Sequence, residues 1–252
     1  MKPLKFLWAL AILAISTSAA IAQDAEQIID NYLETIGGVD NWNKLTGIKF
    51  IGKGIQQGQE FPGYMIMLKD GRQIQAYDIQ GKTMKDNVFD GNTLWSTNFQ
   101  NLKAEKASSE QTNNFKLDAN DFPDPFLNYK EKGYTLELLG SETIDGVETH
   151  KIKLTKEPHT VDGQKVDDVV FYYFDTDSNV PIAMEVELKS GPAKGQMYRT
   201  TMSDYQEVEG LYFAFTTTES IGQQEIITIA LDAVELNPTV EDALFTFPEN
   251  EE

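Results

Sequence analysis

Apolar residues recur along this chain with two periods, one after the other. Ile28, Ile29, Tyr32, Leu33 and Ile36 are spaced by three and four, which marks one face of a helix, and Gly37-Gly38 supplies a natural C-terminal stop. A short turn of helix is expected over Asp40 to Leu45, with Trp42 and Leu45 pointing inward. From Gly47 the period falls to two. Asp70-Gly71, Asp90-Gly91, Asp145-Gly146 and Asp162-Gly163 are hairpin dipeptides, Glu209-Gly210 is a weaker fifth, and Asp177-Ser178-Asn179 marks a further turn. Strands are expected near 47–57, 62–69, 72–80, 83–89 and 93–99, then near 133–142, 147–155, 168–175, 181–189, 196–206, 211–220 and 224–236. That many hairpin-linked strands predict one antiparallel sheet, large enough to curl.

Several strands show their faces. Ile182, Met184, Val186 and Leu188 alternate with Ala183, Glu185 and Glu187, so one side is apolar and the other wet. Leu211, Phe213 and Phe215 share a face, as do Ile227, Ile229 and Leu231. Tyr64 to Leu68 and Val169 to Phe174 are apolar on both faces, so each should meet a core on one side and a covering helix or a ligand on the other. Residues 100–132 interrupt the strands. They are polar over Ala107 to Asn114, and then Asp124 and Pro125 predict the start of a helix whose apolar side is Phe126, Leu127 and Tyr129, ended by Gly133. A crossover of this kind should lie across the open face of the curled sheet.

The first 22 residues stand apart from this pattern. Lys2 and Lys5 precede ten unbroken apolar residues, Phe6 to Ile15, and Ala20-Ile21-Ala22 is a small-residue cleavage site. These are the parts of a secretory signal peptide. Ten apolar residues fall well short of the ~20 that span a bilayer. With no cysteine in the chain, lipidation at Gln23 is excluded. The expectation is a signal peptide over 1–22, a single domain over 23–248 and an acidic tail over 249–252, exported to the periplasm without a stable membrane anchor.

Charge and composition narrow the function classes. Loss of Lys2 and Lys5 leaves 19 basic against 40 acidic side chains, a net charge of −21. Such a charge repels phosphates and anionic head groups, which disfavours nucleic acid and membrane surfaces. It admits a basic envelope partner protein, although solubility is the plainer explanation. The absence of cysteine also removes disulfides, thiol nucleophiles and zinc–thiolate sites. His150 lies in phase with Ile152 and Leu154 on a strand, and His159 falls in the polar loop before Asp162-Gly163. There is no nucleophile elbow, zincin motif or P-loop. Asp175-Thr176-Asp177-Ser178-Asn179 opens like a calcium loop, but Val180 stands where glycine is required and Val186 where glutamate is, so it reads as a turn. No metal, cofactor or catalytic residue is expected. The two arginines, Arg72 and Arg199, fall on strands and would either pair with surface carboxylates or reach into the concave face.

Two ends of the chain resemble one family. Ile28-Ile29-x-x-Tyr32-Leu33-x-x-Ile36-Gly37-Gly38 with Trp42 and Leu45, then Asp204-Tyr205-Gln206-Glu207-Val208-Glu209-Gly210-Leu211-Tyr212-Phe213-Ala214-Phe215, and last Glu235-Leu236-Asn237-Pro238 with Leu244-Phe245 and Pro248, resemble the LolA/LolB-like outer-membrane lipoprotein-sorting proteins. The resemblance implies a mainly β, half-open antiparallel barrel capped by helices, which carries acyl chains across the periplasm. Without a cysteine after the signal peptide, the chain is similar to the soluble branch. Its 100–132 crossover and 156–167 loop are longer than that pattern, and neither Arg72 nor Arg199 aligns with the carriers' gating arginine.

The first expectation is therefore a monomeric carrier that holds lipoprotein acyl chains or another lipid in an apolar cavity. Its wall is expected from Phe213, Phe215, Ile227, Ile229 and Leu231 with Met184 and Val186, its lid from Phe126 and Leu127, and its possible gate from Arg72 or Arg199. An envelope docking module using the concave face is the alternative, and a carboxylate-based hydrolase the third reading.

Overall fold

The computed structural model of the protein describes residues 25–249, so the expected signal peptide lies outside the described residues. Helix α1 (25–35) is followed by the short α2 (Val39–Trp42). The chain then enters strands β1 (Gly47–Gln56), β2 (Gln59–Leu68), β3 (Gln73–Ile79), β4 (Lys82–Phe89), β5 (Leu94–Thr97) and β6 (Ala104–Lys106). Helix α3 (Ser109–Ala119) opens the crossover. The second series comprises β7 (Thr135–Ile144), β8 (Val147–Val161), β9 (Gln164–Asp175), β10 (Pro181–Glu187), β11 (Met197–Val208), β12 (Leu211–Ile221) and β13 (Gln224–Leu236).

All 13 strands form one antiparallel sheet in the order β6-β5-β4-β3-β2-β1-β13-β12-β11-β10-β9-β8-β7. Two sequential meanders are thus joined by a single non-local pairing, β1 on β13, with Phe50 opposite Val234 and Gly54 opposite Ile229. The two ends of the sheet do not pair with each other, so it is a curled, half-open barrel.

The curl has a local cause in β1 and β2. Gly52 and Gly63 face each other across that pair, and the β1–β13 register slips between Ile51 and Gly52. A Cβ on Gly52 would collide with the Ala230 carbonyl, and one on Gly63 with the Ala76 carbonyl. Only a residue without a side chain lets neighbouring backbones approach this closely at a bend.

One core lies under α1. Ile29, Tyr32, Leu33 and Ile36 pack with Phe126, Leu127, Ile152, Leu154, Phe174 and Phe213. The Tyr32 hydroxyl donates to Asp124 Oδ2 (2.6 Å), and Asp124 Oδ1 accepts the Phe126 N–H (2.8 Å). A second cluster lies on the other face of the first meander, where Val240, Leu244, Phe245 and Phe247 cover Ile66, Leu68, Ile74, Val88 and Trp95. The double-faced run Tyr64 to Leu68 is explained by this arrangement, because Tyr64, Ile66 and Leu68 meet the C-terminal segment and Met65 faces the inside of the curl. Val169 to Phe174 divides in the same way, Tyr172 and Phe174 going to the main core and Phe171 and Tyr173 to a small cluster with Ile144 and Ala183.

The crossover differs from expectation in one important respect. Its helix lies over Ser109–Ala119, in the stretch that reads as polar, while 125–133 form successive turns around Asp124 and Asn128. Ser108 and Gln111 make a reciprocal capping box: the Gln111 N–H donates to Ser108 Oγ (3.2 Å) and the Ser108 N–H to Gln111 Oε1 (3.0 Å). The helix bridges the two halves of the sheet. Phe115 stacks edge-on against Phe89 of β4 (5.3 Å between centroids). On its other side Asn114 exchanges two hydrogen bonds with the Thr160 backbone (2.7 and 2.8 Å), and Glu110 accepts the N–H groups of Asp162 and Gly163. These contacts need β8 and β9 to run on past residue 155, so the 156–167 segment is a strand extension and not a loop, and His159 lies in β8.

Candidate functional site

The main core occupies only part of the concave face. The remainder is a cavity of about 690 Å³ bounded by β1, β2, β3, β4, β12 and β13, within the range typical of small-molecule sites. Its wall has an apolar stretch made by Phe50, Met65, Phe215, Ile227, Ile229 and Leu231. Register explains why these side chains converge: Phe50 is opposite Met65, Met65 is opposite Gln75, and Gln75 is opposite Asp86. On the other flank Thr217 is opposite Ile229, and Glu219 is opposite Ile227. Directly opposed residues share a face of the sheet, so these residues all point inward. The side-chain-free positions Gly52, Gly54 and Gly63 widen the floor between them.

Polar groups line the cavity as well. Asp86 Oδ1 accepts from the Ser96 hydroxyl (2.6 Å) and the Asn87 N–H (3.0 Å). Burial, with Asp86 nearby, pushes the Tyr77 phenol above its ordinary value, and burial with Glu219 beside it does the same to Tyr198. Both phenols are therefore neutral donors at physiological pH. Phe99, 61% exposed, stands against Tyr77 at 6.3 Å and forms an aromatic rim. No histidine, cysteine or serine lines the cavity.

The residues expected to form the wall divide between cavity and core. Phe215, Ile227, Ile229 and Leu231 lie on the cavity wall. Phe213 does not, because it is buried between Trp42 (5.1 Å) and Phe50 (6.0 Å). Met184 and Val186 are on strand β10, beyond β11, and do not line the cavity either. Phe126 and Leu127 are not a lid. They are 1% and 2% exposed, and Phe126 is enclosed by Tyr32, Tyr172 and Phe174 at 4.8–5.9 Å. Neither arginine reaches the concave space. Arg72 binds Asp70 (2.8 Å) and Asp242 (2.6 Å) with its guanidinium over Phe245, and Arg199 binds Glu185 (2.6 Å), which also accepts the Tyr173 hydroxyl. Sequence reasoning missed Phe50, Met65, Tyr77, Asp86 and Glu219. The run of glycines in β1 and β2 was the available signal, since paired glycines mark a bend.

A second polar cluster anchors α3. Lys156 Nζ lies 3.0, 3.0 and 2.9 Å from Asp118, Asp121 and Asp168, and His159 Nε2 is 3.2 Å from Asp118. Asp118, His159 and Asp168 are close enough to share a metal ion, but the Lys156 ammonium already supplies the positive charge there. Its hydrogen bond to Asp118 raises the His159 pKa above 6.5, so the ring's contribution to stability is full below about pH 6.5 and is lost as pH rises through the folded value. The melting-temperature gap between wild type and His159→Gln should accordingly be largest below about pH 6.5 and shrink above it. A gap independent of pH would show that protonation of this ring plays no part in holding α3.

The motifs that carry the family resemblance meet as junctions of the fold. Gly37, at φ +118°, lies so close to the Gly210 carbonyl that a Cβ could not be accommodated. The Ile36 carbonyl accepts both the Tyr212 N–H (3.0 Å) and Trp42 Nε1–H (3.1 Å). At the tail, Asn237 Oδ1 accepts the Thr46 N–H (2.7 Å), and the Asn237 N–H donates to the Gly47 carbonyl (2.8 Å).

No protein-family model matches the chain, and no curated protein matches it. Solved structures do. One is described as an outer membrane lipoprotein-sorting protein domain, from Vibrio parahaemolyticus. It aligns with a TM-score of 0.55 at 13% identity over 89% of this chain and 97% of its own. A LolA superfamily protein from Nitrosomonas europaea aligns with a TM-score of 0.54 at 15% identity, over 88% and 97%. At such identities the likeness concerns the backbone alone. The chain has the LolA-type fold, an open antiparallel sheet curled around an apolar cavity.

Proposed function

We propose that this protein is an exported carrier that binds an acyl chain or similar lipid in the cavity between β1–β4 and β12–β13, and that it works by binding and not by catalysis. The observation that supports this most is the cavity wall: bulky apolar side chains from four strands face an unfilled space. A chain of fourteen carbons loses ~10 kcal/mol on leaving a bilayer, at roughly 0.8 kcal/mol per CH₂. Only an enclosed apolar surface can offset most of that. Among the described residues no histidine or serine lies on the wall, which leaves the hydrolase reading only the carboxylates Asp86 and Glu219, carried on β4 and β12 with four strands between them in the sheet order. The docking-module reading draws less support, because the large exposed apolar residues are dispersed over the surface at Val39, Phe99, Leu102, Leu139, Val147 and Tyr212.

The test is uptake of an uncharged, polarity-sensitive dye, N-phenyl-1-naphthylamine, by the purified protein. Saturable fluorescence enhancement, reversed by a long-chain amphiphile, is expected, and no enhancement would overturn the carrier reading. Export rests on the Met1–Ala22 pattern, which also places the carrier in the periplasm. Protein recovered from that compartment should have the intact mass of a chain that begins at Gln23. Retention of Met1 would remove the compartment assignment and leave the cavity argument intact.

A further inference from the structure

We infer that the cavity is selective: it takes amphiphiles whose polar end is uncharged or cationic, and it disfavours those that end in a carboxylate or phosphate. This deepens the carrier reading and rests on it. The first observation is the sign of the inward-facing charges. Asp86, in register with Gln75, and Glu219, in register with Ile227, are the acidic residues on the wall. Neither has an ion-pair partner among the described residues. Among the described residues, Lys53 is the one basic residue that borders the cavity. It alternates with Gly52 and Gly54, so its side chain leaves by the opposite face, where its ammonium is bound to Glu60 at 2.7 Å.

Other bases nearby are also committed elsewhere. Lys85 lies over the Trp95 ring at 5.7 Å, Arg199 is bound to Glu185, and Arg72 is bound to Asp70 and Asp242. An anionic head group entering here would meet two carboxylates and, among the described residues that line the cavity, no free cation. In a space partly shielded from water that repulsion is stronger than at an open surface. A cationic head would meet the same carboxylates as attraction, with the faces of Tyr77 and Phe99 beside them. An uncharged head would find hydroxyl and amide partners in Tyr77, Gln75 and Asn87.

The second observation is volume. If a methylene is taken as about the size of a water molecule, ~30 Å³, a sixteen-carbon chain fills ~480 Å³. A cavity of about 690 Å³ has room for such a chain with its head group.

The experiment measures displacement of N-phenyl-1-naphthylamine at neutral pH by three sixteen-carbon ligands, each below its micelle concentration. These are hexadecyltrimethylammonium, monopalmitoylglycerol and palmitate. Palmitate should need at least about tenfold more for half-displacement than either of the others, a difference of ~1.4 kcal/mol. Glu219→Gln should narrow that gap, and the Asp86→Asn/Glu219→Gln pair should narrow it to about threefold or less. Should Asp86→Asn fail to fold through loss of its Ser96 bond, Glu219→Gln alone decides the matter. Equal displacement by palmitate, or a gap that both variants leave unchanged, overturns the charge selectivity while the carrier reading stands. Absence of any dye uptake is a distinct result, and it removes the carrier reading itself.

Discussion

Ile229→Asp should melt within a few degrees of wild type and lose nearly all uptake of an apolar dye. Ile229 faces the cavity opposite Thr217 and Gly54. A new carboxylate there looks onto a space that can admit water, so it can stay hydrated, whereas an unpaired carboxylate in solid core costs several kcal/mol. Function fails for the same reason that the fold survives, because a hydrated charge in the middle of the apolar wall raises the cost of seating a hydrocarbon chain. The paired measurements are thermal unfolding and dye titration on both proteins. Unfolding of the variant would show Ile229 to be core, and unchanged uptake would show that this wall does not meet the ligand.

Phe126→Ala should behave in the opposite way. The ring is 1% exposed and makes edge-on contacts with Tyr32, Tyr172 and Phe174. Truncation of such a side chain leaves a cavity and costs ~3–5 kcal/mol. For a domain of this size that is a drop in melting temperature on the order of 10 °C. Well below the transition, dye affinity should stay within about twofold of wild type, ~0.4 kcal/mol, since Phe126 lies outside the cavity wall. A lid residue would show the reverse, a normal melt with altered uptake, and that result would restore the expectation drawn from the sequence.

The contrast between Phe126 and Ile229 shows what was legible in the chain. Period-two alternation and the Asp-Gly turns located the strands because a hairpin leaves a local record: Asp145-Gly146 and Asp162-Gly163 both adopt the positive φ that a two-residue turn demands. Which apolar face meets solid core and which meets empty space leaves no such record. Phe213 and Phe215 are two residues apart on one face, yet Phe213 packs under α2 and Phe215 borders the cavity. The difference is set by where α1 and α2 end, which depends on packing across the whole sheet.

Helix α3 escaped notice for a related reason. Most of its anchors are polar, Glu110, Asn114 and Asp118, so the hydrophobic period that reveals an ordinary helix is weak there. The capping box Ser108-x-x-Gln111 was the signal to weigh. By contrast the stretch at Asp124 has a good cap and apolar residues, but Asn128 adopts φ +55° and the chain continues in turns. The resemblance motifs, for their part, report mainly on junctions such as Ile36 with Tyr212: Gly37, Trp42, Gly210 and Asn237 do not touch the cavity, and of those motifs only Ala214 and Phe215 line it. Two chains that share those motifs can therefore enclose the same shape and still choose different ligands.

The seam bridged by α3 sets how the molecule can yield. A closed barrel is fastened by a ladder of backbone hydrogen bonds, and parting it means exposing every rung. Here β4 and the β8–β9 hairpin, on the two flanks of the sheet, are linked through one helix, by the Phe115–Phe89 contact, the Asn114 and Glu110 hydrogen bonds and the Lys156 ion pairs. Side-chain and backbone hydrogen bonds each contribute about 0.5–1.5 kcal/mol, so unclasping this side costs the few contacts of one helix and not a full ladder. The side of the molecule held in this way borders the β4 wall of the cavity, so that wall is backed by one helix and a lysine and not by a backbone ladder.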